Sequence, residues 1–187
     1  MSAKLEEHLG GHANKTHLDH GAIDWLIKKF SAKSYLDIGC GPGGMVQLAK
    51  QKGLKVLGID GDYTLERETP DDFALHDFTK GPYEPSDTYD IGWSCEFVEH
   101  VSEEYIVNYM PCFRKCKVVM LTYAPPGHKG HHHVNCQEES YWIELMSNAG
   151  LNFNQELTHE LREHSTMNMD WNPKKAWVKQ RGLLLTK

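Results

Sequence analysis

Three aspartates and two clusters of histidine carry most of the reactive chemistry in this 187-residue chain. Asp37, Asp60 and Asp77 each close a short apolar run: Ser34-Tyr35-Leu36, Lys55-Val56-Leu57-Gly58-Ile59 and Phe73-Ala74-Leu75-His76. A carboxylate at the end of a buried strand accepts hydrogen bonds from ligand hydroxyls or amines, or pairs with an ammonium group. The histidines number twelve. His8, His12, His17 and His20 lie near the N-terminus, while His128, His131, His132 and His133 crowd one later loop. A neutral imidazole is a proton acceptor suited to pH 7. His100, in the pair Glu99-His100, stands apart from both groups.

The elements that must position these groups begin with Leu36-Asp37-Ile38-Gly39-Cys40-Gly41-Pro42-Gly43-Gly44. An apolar strand runs into a carboxylate and then a glycine-dense turn, and Pro42 suits the first turn of a following helix. Strand, glycine turn and helix N-terminus together form the floor of a nucleotide-like site. Gly39-x-Gly41-x-x-Gly44 fits a dinucleotide fingerprint, with Asp60 as its ribose-binding acid. Asp37 argues against that ligand. An acid two residues before the first glycine repels a pyrophosphate but suits the ammonium of a methionine moiety, and no basic residue lies inside the turn to offset the repulsion.

Taken as Asp37-x-Gly39-x-Gly41-x-Gly43, the turn resembles the first motif of class I S-adenosylmethionine-dependent methyltransferases. Lys55–Asp60, Phe73–Phe78 and Tyr89–Val101, the last containing Glu96-Phe97-Val98-Glu99-His100, resemble the family's next three stations in the same order. The resemblance spans roughly residues 34 to 101. It implies an α/β fold: a doubly wound, seven-stranded, mostly parallel sheet of order 3-2-1-4-5-7-6, last strand antiparallel, with helices on both faces. It also implies a single domain over residues 1–187, with a helical lid at 1–30 and a Rossmann-like core at 31–187. The implied cofactor is S-adenosyl-L-methionine. Asp37, Gly39, Cys40, Gly41 and Gly43 would hold its methionine end, and Asp60 with Gly61 the ribose. Asp77 and the Phe78 N–H would hold the adenine, and Cys95 and Glu96 would line the sulfonium.

Beyond residue 101, Ser102 with Glu103 and Glu104 predicts a helix start, and Pro111 predicts its end. Lys117–Tyr123 predicts a doubly covered fifth strand. Asn135 with Glu138 resembles a capping box ahead of the helical stripe Tyr141, Trp142, Leu145, Met146 and Ala149, which Gly150 ends. Leu151–Leu157 and Gly182–Thr186 are the expected closing strands. A net charge of −6 argues against a nucleic-acid surface, and Lys174, Lys175, Lys179 and Arg181 read as a solvated face. No apolar run reaches a membrane span, and the N-terminus with Lys4, Glu6 and Glu7 does not read as a signal peptide. Five cysteines without framework spacing predict reduced thiols and a cytoplasmic setting. The expected partner is therefore a small-molecule acceptor, not nucleic acid or membrane.

The loop Ala124–His133 follows the fifth strand and so faces the reacting methyl. This makes His131, His132 and His133, together with His100, the catalytic candidates, the three loop histidines being indistinguishable by position. Two other readings compete. His131, His133 and Cys136 offer three zinc ligands, with a fourth from the N-terminal histidines, yet no spacing fixes that geometry and no metal is assigned. The histidines also serve as loop caps bonded to backbone carbonyls. His17 and His20 share a face with Asp24 if that segment is helical. The function expected is methyl transfer to an oxygen or nitrogen of a small molecule. The rivals are a non-catalytic methyltransferase-like binding module and a nicotinamide-dependent oxidoreductase. An open acceptor cavity lined by Tyr123, His131–His133 and Trp142 would favour the enzyme over the module.

Overall fold

The computed structural model describes residues 5–67, 69–168 and 172–187. Its seven strands are β1 (Ser34–Ile38), β2 (Lys55–Asp60), β3 (Phe73–Leu75), β4 (Tyr89–Ser94), β5 (Cys116–Leu121), β6 (Asn152–Phe153) and β7 (Leu183–Thr186). They form one sheet of order β3-β2-β1-β4-β5-β7-β6. β1 to β5 pair in parallel, with Leu36 opposite Leu57 on one side and Gly92 on the other. β7 enters antiparallel between β5 and β6. The expected order and the single reversed strand are both present.

The near-continuous apolar character of β1, β4 and β5 follows from helices covering both faces. On one face α3 (Ile106–Arg114) and α4 (Glu139–Asn148) pack Tyr109, Phe113, Trp142 and Met146 against Leu36, Ile38, Val119 and Leu121. On the other, α1 (His20–Phe30), α2 (Gly44–Gln51), α5 (Gln155–His164) and α6 (Trp177–Arg181) bury Ile23, Leu26, Val46 and Leu161 against Tyr35, Ile91 and Trp93. Buried Asp19 joins these helices. Its carboxylate caps α1 at the Ala22 N–H and also accepts from the Ser165 hydroxyl and the Thr166 N–H.

Several local expectations need correction. Of the lid expected over 1–30, only His20–Phe30 is a regular α-helix among the described residues. Residues 5–19 instead form a strap with one 3₁₀ turn, Glu7–Leu9. His17 therefore precedes the helix and shares no helical face with His20 or Asp24. Pro42 lies in the turn, because Gly43 caps α2 with φ of 86° and the helix starts at Gly44. Pro111 sits inside α3. The carbonyl it leaves unpaired belongs to Val107, a residue 70% exposed, so solvent can satisfy it. Asn135 forms no capping box, since Glu138 occupies the N-cap position of α4 without a side-chain bond. Only Asn152–Phe153 of the expected Leu151–Leu157 strand is extended, because Asn154 caps α5 at the Leu157 N–H and helix takes over.

Candidate active site

The C-terminal ends of β1, β2 and β4 open onto one cavity of about 690 Å³, within the range of a small-molecule site. Asp37, Gly39, Cys40, Gly41, Asp60, Gly61, Asp77, Phe78, Cys95 and Glu96 all line it. Gly43 does not. A Cβ there would strike the Phe73 ring, so this glycine serves the turn and the packing beneath it.

Two of the three aspartates are held by backbone donors. Asp60 accepts from the Gly41 N–H at 2.8 Å and, through its other oxygen, from the Asp62 N–H at 2.8 Å. Burial raises its pKa, and these two bonds oppose the rise. Each carboxylate oxygen keeps a second lone pair for a ligand hydroxyl. Asp77 accepts from the Thr79 N–H and hydroxyl, both at 2.8 Å, and lies 3.1 Å from His8 Nε2. Burial opposes the net lowering of its pKa, which those Thr79 and His8 bonds produce. Asp37 is different. It is buried, its side chain meets the Tyr35 hydroxyl at 3.4 Å, and burial followed by the nearby Asp60 charge pushes it up to about 8.

The strap crosses the mouth of this cradle. His12 Nε2 lies 3.0 Å from the buried Asp62 carboxylate, and His131 Nε2 meets the Glu7 carbonyl at 2.8 Å. Leu9 packs over Gly61, and His12 packs over Gly41, whose φ of 50° favours glycine. Arg67 reaches the turn from outside and donates to the Gly41 carbonyl at 2.9 Å while stacking on Phe73. A basic side chain thus approaches the glycine turn, although the sequence places none within it.

The far end of the cavity is built from acids and imidazoles. Glu96, Phe97, His100, His128, His131 and His133 line it. His131 is tied to the strap, and His132 adopts φ of 46° with its ring 6.2 Å from that of His8. His133 stacks edge-on with His100 at 4.9 Å between ring centroids. The loop histidines are therefore no longer equivalent: the His133 ring packs on His100, whereas His131 meets it through the backbone. Burial, then the His133 charge, lowers His100 to about 4. Glu96 is raised to about 7 by burial, with the Arg181 charge opposing. Glu99, fully buried beside it, is raised by burial and then by Glu96.

The zinc set considered from sequence does not assemble. His131 is engaged by Glu7, and Cys136 Sγ lies 3.8 Å from His133 Nδ1, the nitrogen that faces the His128 carbonyl at 3.1 Å. Tyr123 and Trp142 are core residues, Tyr123 bonding Glu139 at 3.0 Å, and neither lines the cavity. The cavity nevertheless stays open where His128, His131 and His133 face it. Sequence reasoning missed Glu99, His8 and His12. Glu99 was visible as the second acid of Glu96-x-x-Glu99-His100.

Residues 36–120 match a family model described as a methyltransferase domain. The strand order, the strand-end acids and this match agree with one another. Residues 36–120 form a methyltransferase domain, and the sheet around it has the fold of class I S-adenosylmethionine-dependent methyltransferases. No curated protein is significantly similar to it. Among solved structures, a TehB-like S-adenosylmethionine-dependent methyltransferase from Corynebacterium glutamicum aligns with TM-score 0.58 and 16% identity, over 90% of this chain and 89% of the other. The methyltransferase domain of bacterial CtHen1 aligns with TM-score 0.56 and 16% identity, covering 89% of this chain and 96% of its own. Magnesium protoporphyrin IX methyltransferase from Synechocystis, solved with bound S-adenosylmethionine, gives TM-score 0.56 and 16% identity over 87% and 74%. At such identities the likeness is one of fold. Among the described residues no helix is long and apolar enough to cross a membrane.

Proposed function

We propose that this methyltransferase transfers a methyl group from S-adenosylmethionine to an oxygen or nitrogen of a small molecule. The observation that carries the reading is the continuity of one cavity from the aspartate cradle to the Glu96–His100–His133 end. When bound, the cofactor supplies a methyl carbon activated by positive sulfur. The chain's own residues bind, orient and exclude water, which is the principal demand of an in-line displacement. Asp60 faces the ribose diol, with Gly61 beside it. Asp77 and the Phe78 N–H take the adenine edge, and Asp37 with Gly39, Cys40 and Gly41 takes the amino-acid tail. Gly43 shapes the turn under them. Cys95 and Glu96 flank the reacting carbon. His100, His131, His132 and His133 are the polar groups near the acceptor, and the geometry favours His100 and His133. The strap's His8 and His12 close the cradle.

The small cavity and the net charge of −6 support a small acceptor over a nucleic-acid strand. A cytoplasmic setting is consistent with the five unpaired cysteines. The test has two parts. Calorimetric titration should show S-adenosylhomocysteine binding at one site while NAD gives no heat, because Asp37 gains an ammonium partner from the former and none from a pyrophosphate. Incubation with methyl-labelled cofactor and a panel of small alcohols and amines should then transfer label. Binding of NAD in preference would reject the cofactor assignment. Cofactor binding with no transfer to any acceptor class would leave a binding module.

A further inference from the structure

Behind the acceptor end of the cavity, donor atoms of Glu99, His100 and His133 all lie within 4.8 Å of one another. We propose that these three side chains hold a divalent transition-metal ion, such as Mn²⁺, that positions an oxygen acceptor for methyl transfer. The inference rests on the reading of this cavity as a methyl-transfer site.

Glu99 is wholly buried, neither carboxylate oxygen has a donor among the described residues, and the side chain it meets is another buried acid, Glu96. An ionised carboxylate in that state is costly unless a cation or donor meets it. Three other buried atoms around it are equally unpartnered: Glu96 Oε1, His100 Nδ1 and Arg181 Nε. One cation between the acid and the imidazoles would satisfy the first two classes of atom together. The second cluster of ligand type, Glu6, His8 and Asp77, differs because its members already pair with one another and Glu6 is exposed.

The imidazoles are held as ligands should be. His133 turns Nδ1 to the His128 carbonyl at 3.1 Å, leaving Nε2 free, the usual second contact of a metal-bound histidine. The loop bearing it is clamped to Glu99 itself, since the N–H groups of Val134 and Asn135 both donate to the Glu99 carbonyl, at 3.0 and 3.1 Å. One carboxylate with two imidazoles is a mixed oxygen and nitrogen set, which suits Mn²⁺, Fe²⁺ or Zn²⁺ better than Ca²⁺. Three protein donors leave coordination positions open toward the cavity that His100 and His133 line.

The acceptor this selects is a hydroxyl, because an ammonium would be repelled by the ion. A coordinated hydroxyl loses its proton to solvent water more readily. Its oxygen then bonds the methyl carbon as the carbon–sulfur bond breaks, that electron pair staying on sulfur.

The test is titration of chelator-stripped full-length protein with MnCl₂, following the free Mn²⁺ paramagnetic resonance signal. One ion per chain should bind, and Mn²⁺ should raise the melting temperature. Glu99→Gln and His133→Ala should each weaken binding at least tenfold and remove the thermal shift, whereas His159→Ala, on the exposed face of α5, should not. Glu99→Gln keeps the side-chain volume, and its melting without metal reports whether it folds. No stoichiometric binding, or equal affinity in both variants, overturns the proposal, as does loss of binding in His8→Ala alone. S-adenosylhomocysteine titration of the same stripped protein separates the two readings. Cofactor binding without Mn²⁺ binding sinks the ion alone, whereas Mn²⁺ binding without cofactor binding sinks the transfer site and with it the ion's role.

Discussion

The two ends of the cavity handle buried charge in opposite ways. At the proposed nucleoside end, Asp60 and Asp77 have backbone and hydroxyl donors already in place at 2.8 Å. At the proposed acceptor end, Glu96 Oε1 and both oxygens of Glu99 are buried with no donor among the described residues. Asp37 lies between these extremes, with one long bond to Tyr35. A carboxylate fixed by backbone N–H groups is pre-oriented at little cost, and those bonds favour its ionised form. One left bare must take a proton or wait for a cationic partner. The nucleoside end is thus finished by folding, and the acceptor end is finished by what binds there.

Asp37 gives the largest expected effect. The folded protein keeps its proton up to about pH 8, whereas the unfolded chain releases it near the ordinary value of 3.8. Between those values the folded state binds more protons, so stability falls as pH rises from 4 to 8 and is level outside that window. Asp37→Asn removes the term. The variant should melt close to wild type near pH 4 and above it at pH 8, by an amount on the order of several kcal/mol. Melting curves that stay parallel across the window would mean that Asp37 is not the bare group described. The same substitution should weaken S-adenosylhomocysteine binding. In wild type that binding should release a proton near pH 7, which shows as a buffer-dependent heat.

Asp60→Ala comes next and probes the finished end. It removes charge-assisted bonds to a diol and strips the Gly41 and Asp62 N–H groups of their acceptor. A loss of about 2–4 kcal/mol in S-adenosylhomocysteine affinity is expected, read by calorimetry. Asp60→Asn keeps one acceptor for the backbone and should lose less. An unchanged dissociation constant in both would deny Asp60 the ribose.

The same contrast explains what the chain's letters disclose. The nucleoside end is local: each acid terminates its own apolar run, and the glycines sit beside them, so period and punctuation suffice. The sheet order follows from the same strands once the family resemblance is granted. The acceptor end depends on contacts between distant segments. His133 meets His100 only because the loop after β5 docks on the Glu99 carbonyl, and no local pattern encodes that docking. The strap is similar, since its His12–Asp62 and His8–Asp77 pairs span 50 and 69 residues. The misread boundaries have simpler causes. Pro111 is tolerated where its freed carbonyl reaches solvent, and β6 ends early because Asn154 is a better helix cap than strand residue.

The smallest effect concerns the strap that covers the finished end. His12 is partly exposed, with a side-chain accessibility of 20%, while its partner Asp62 is 2% exposed and keeps the Thr64 N–H and hydroxyl as further donors. Losing the imidazole therefore removes one link without orphaning the acid. His12→Ala should cost about 1 kcal/mol of strap closure. Because the strap covers the bound ligand instead of forming its floor, the cost should fall on the dissociation rate, raising it roughly fivefold, with association nearly unchanged. Stopped-flow displacement of S-adenosylhomocysteine measures this, and amide exchange in residues 5–19 should quicken in parallel. An association rate that falls while dissociation holds would make the strap part of the binding floor. The cradle would then be completed by ligand binding as well, and the contrast between the two ends would disappear.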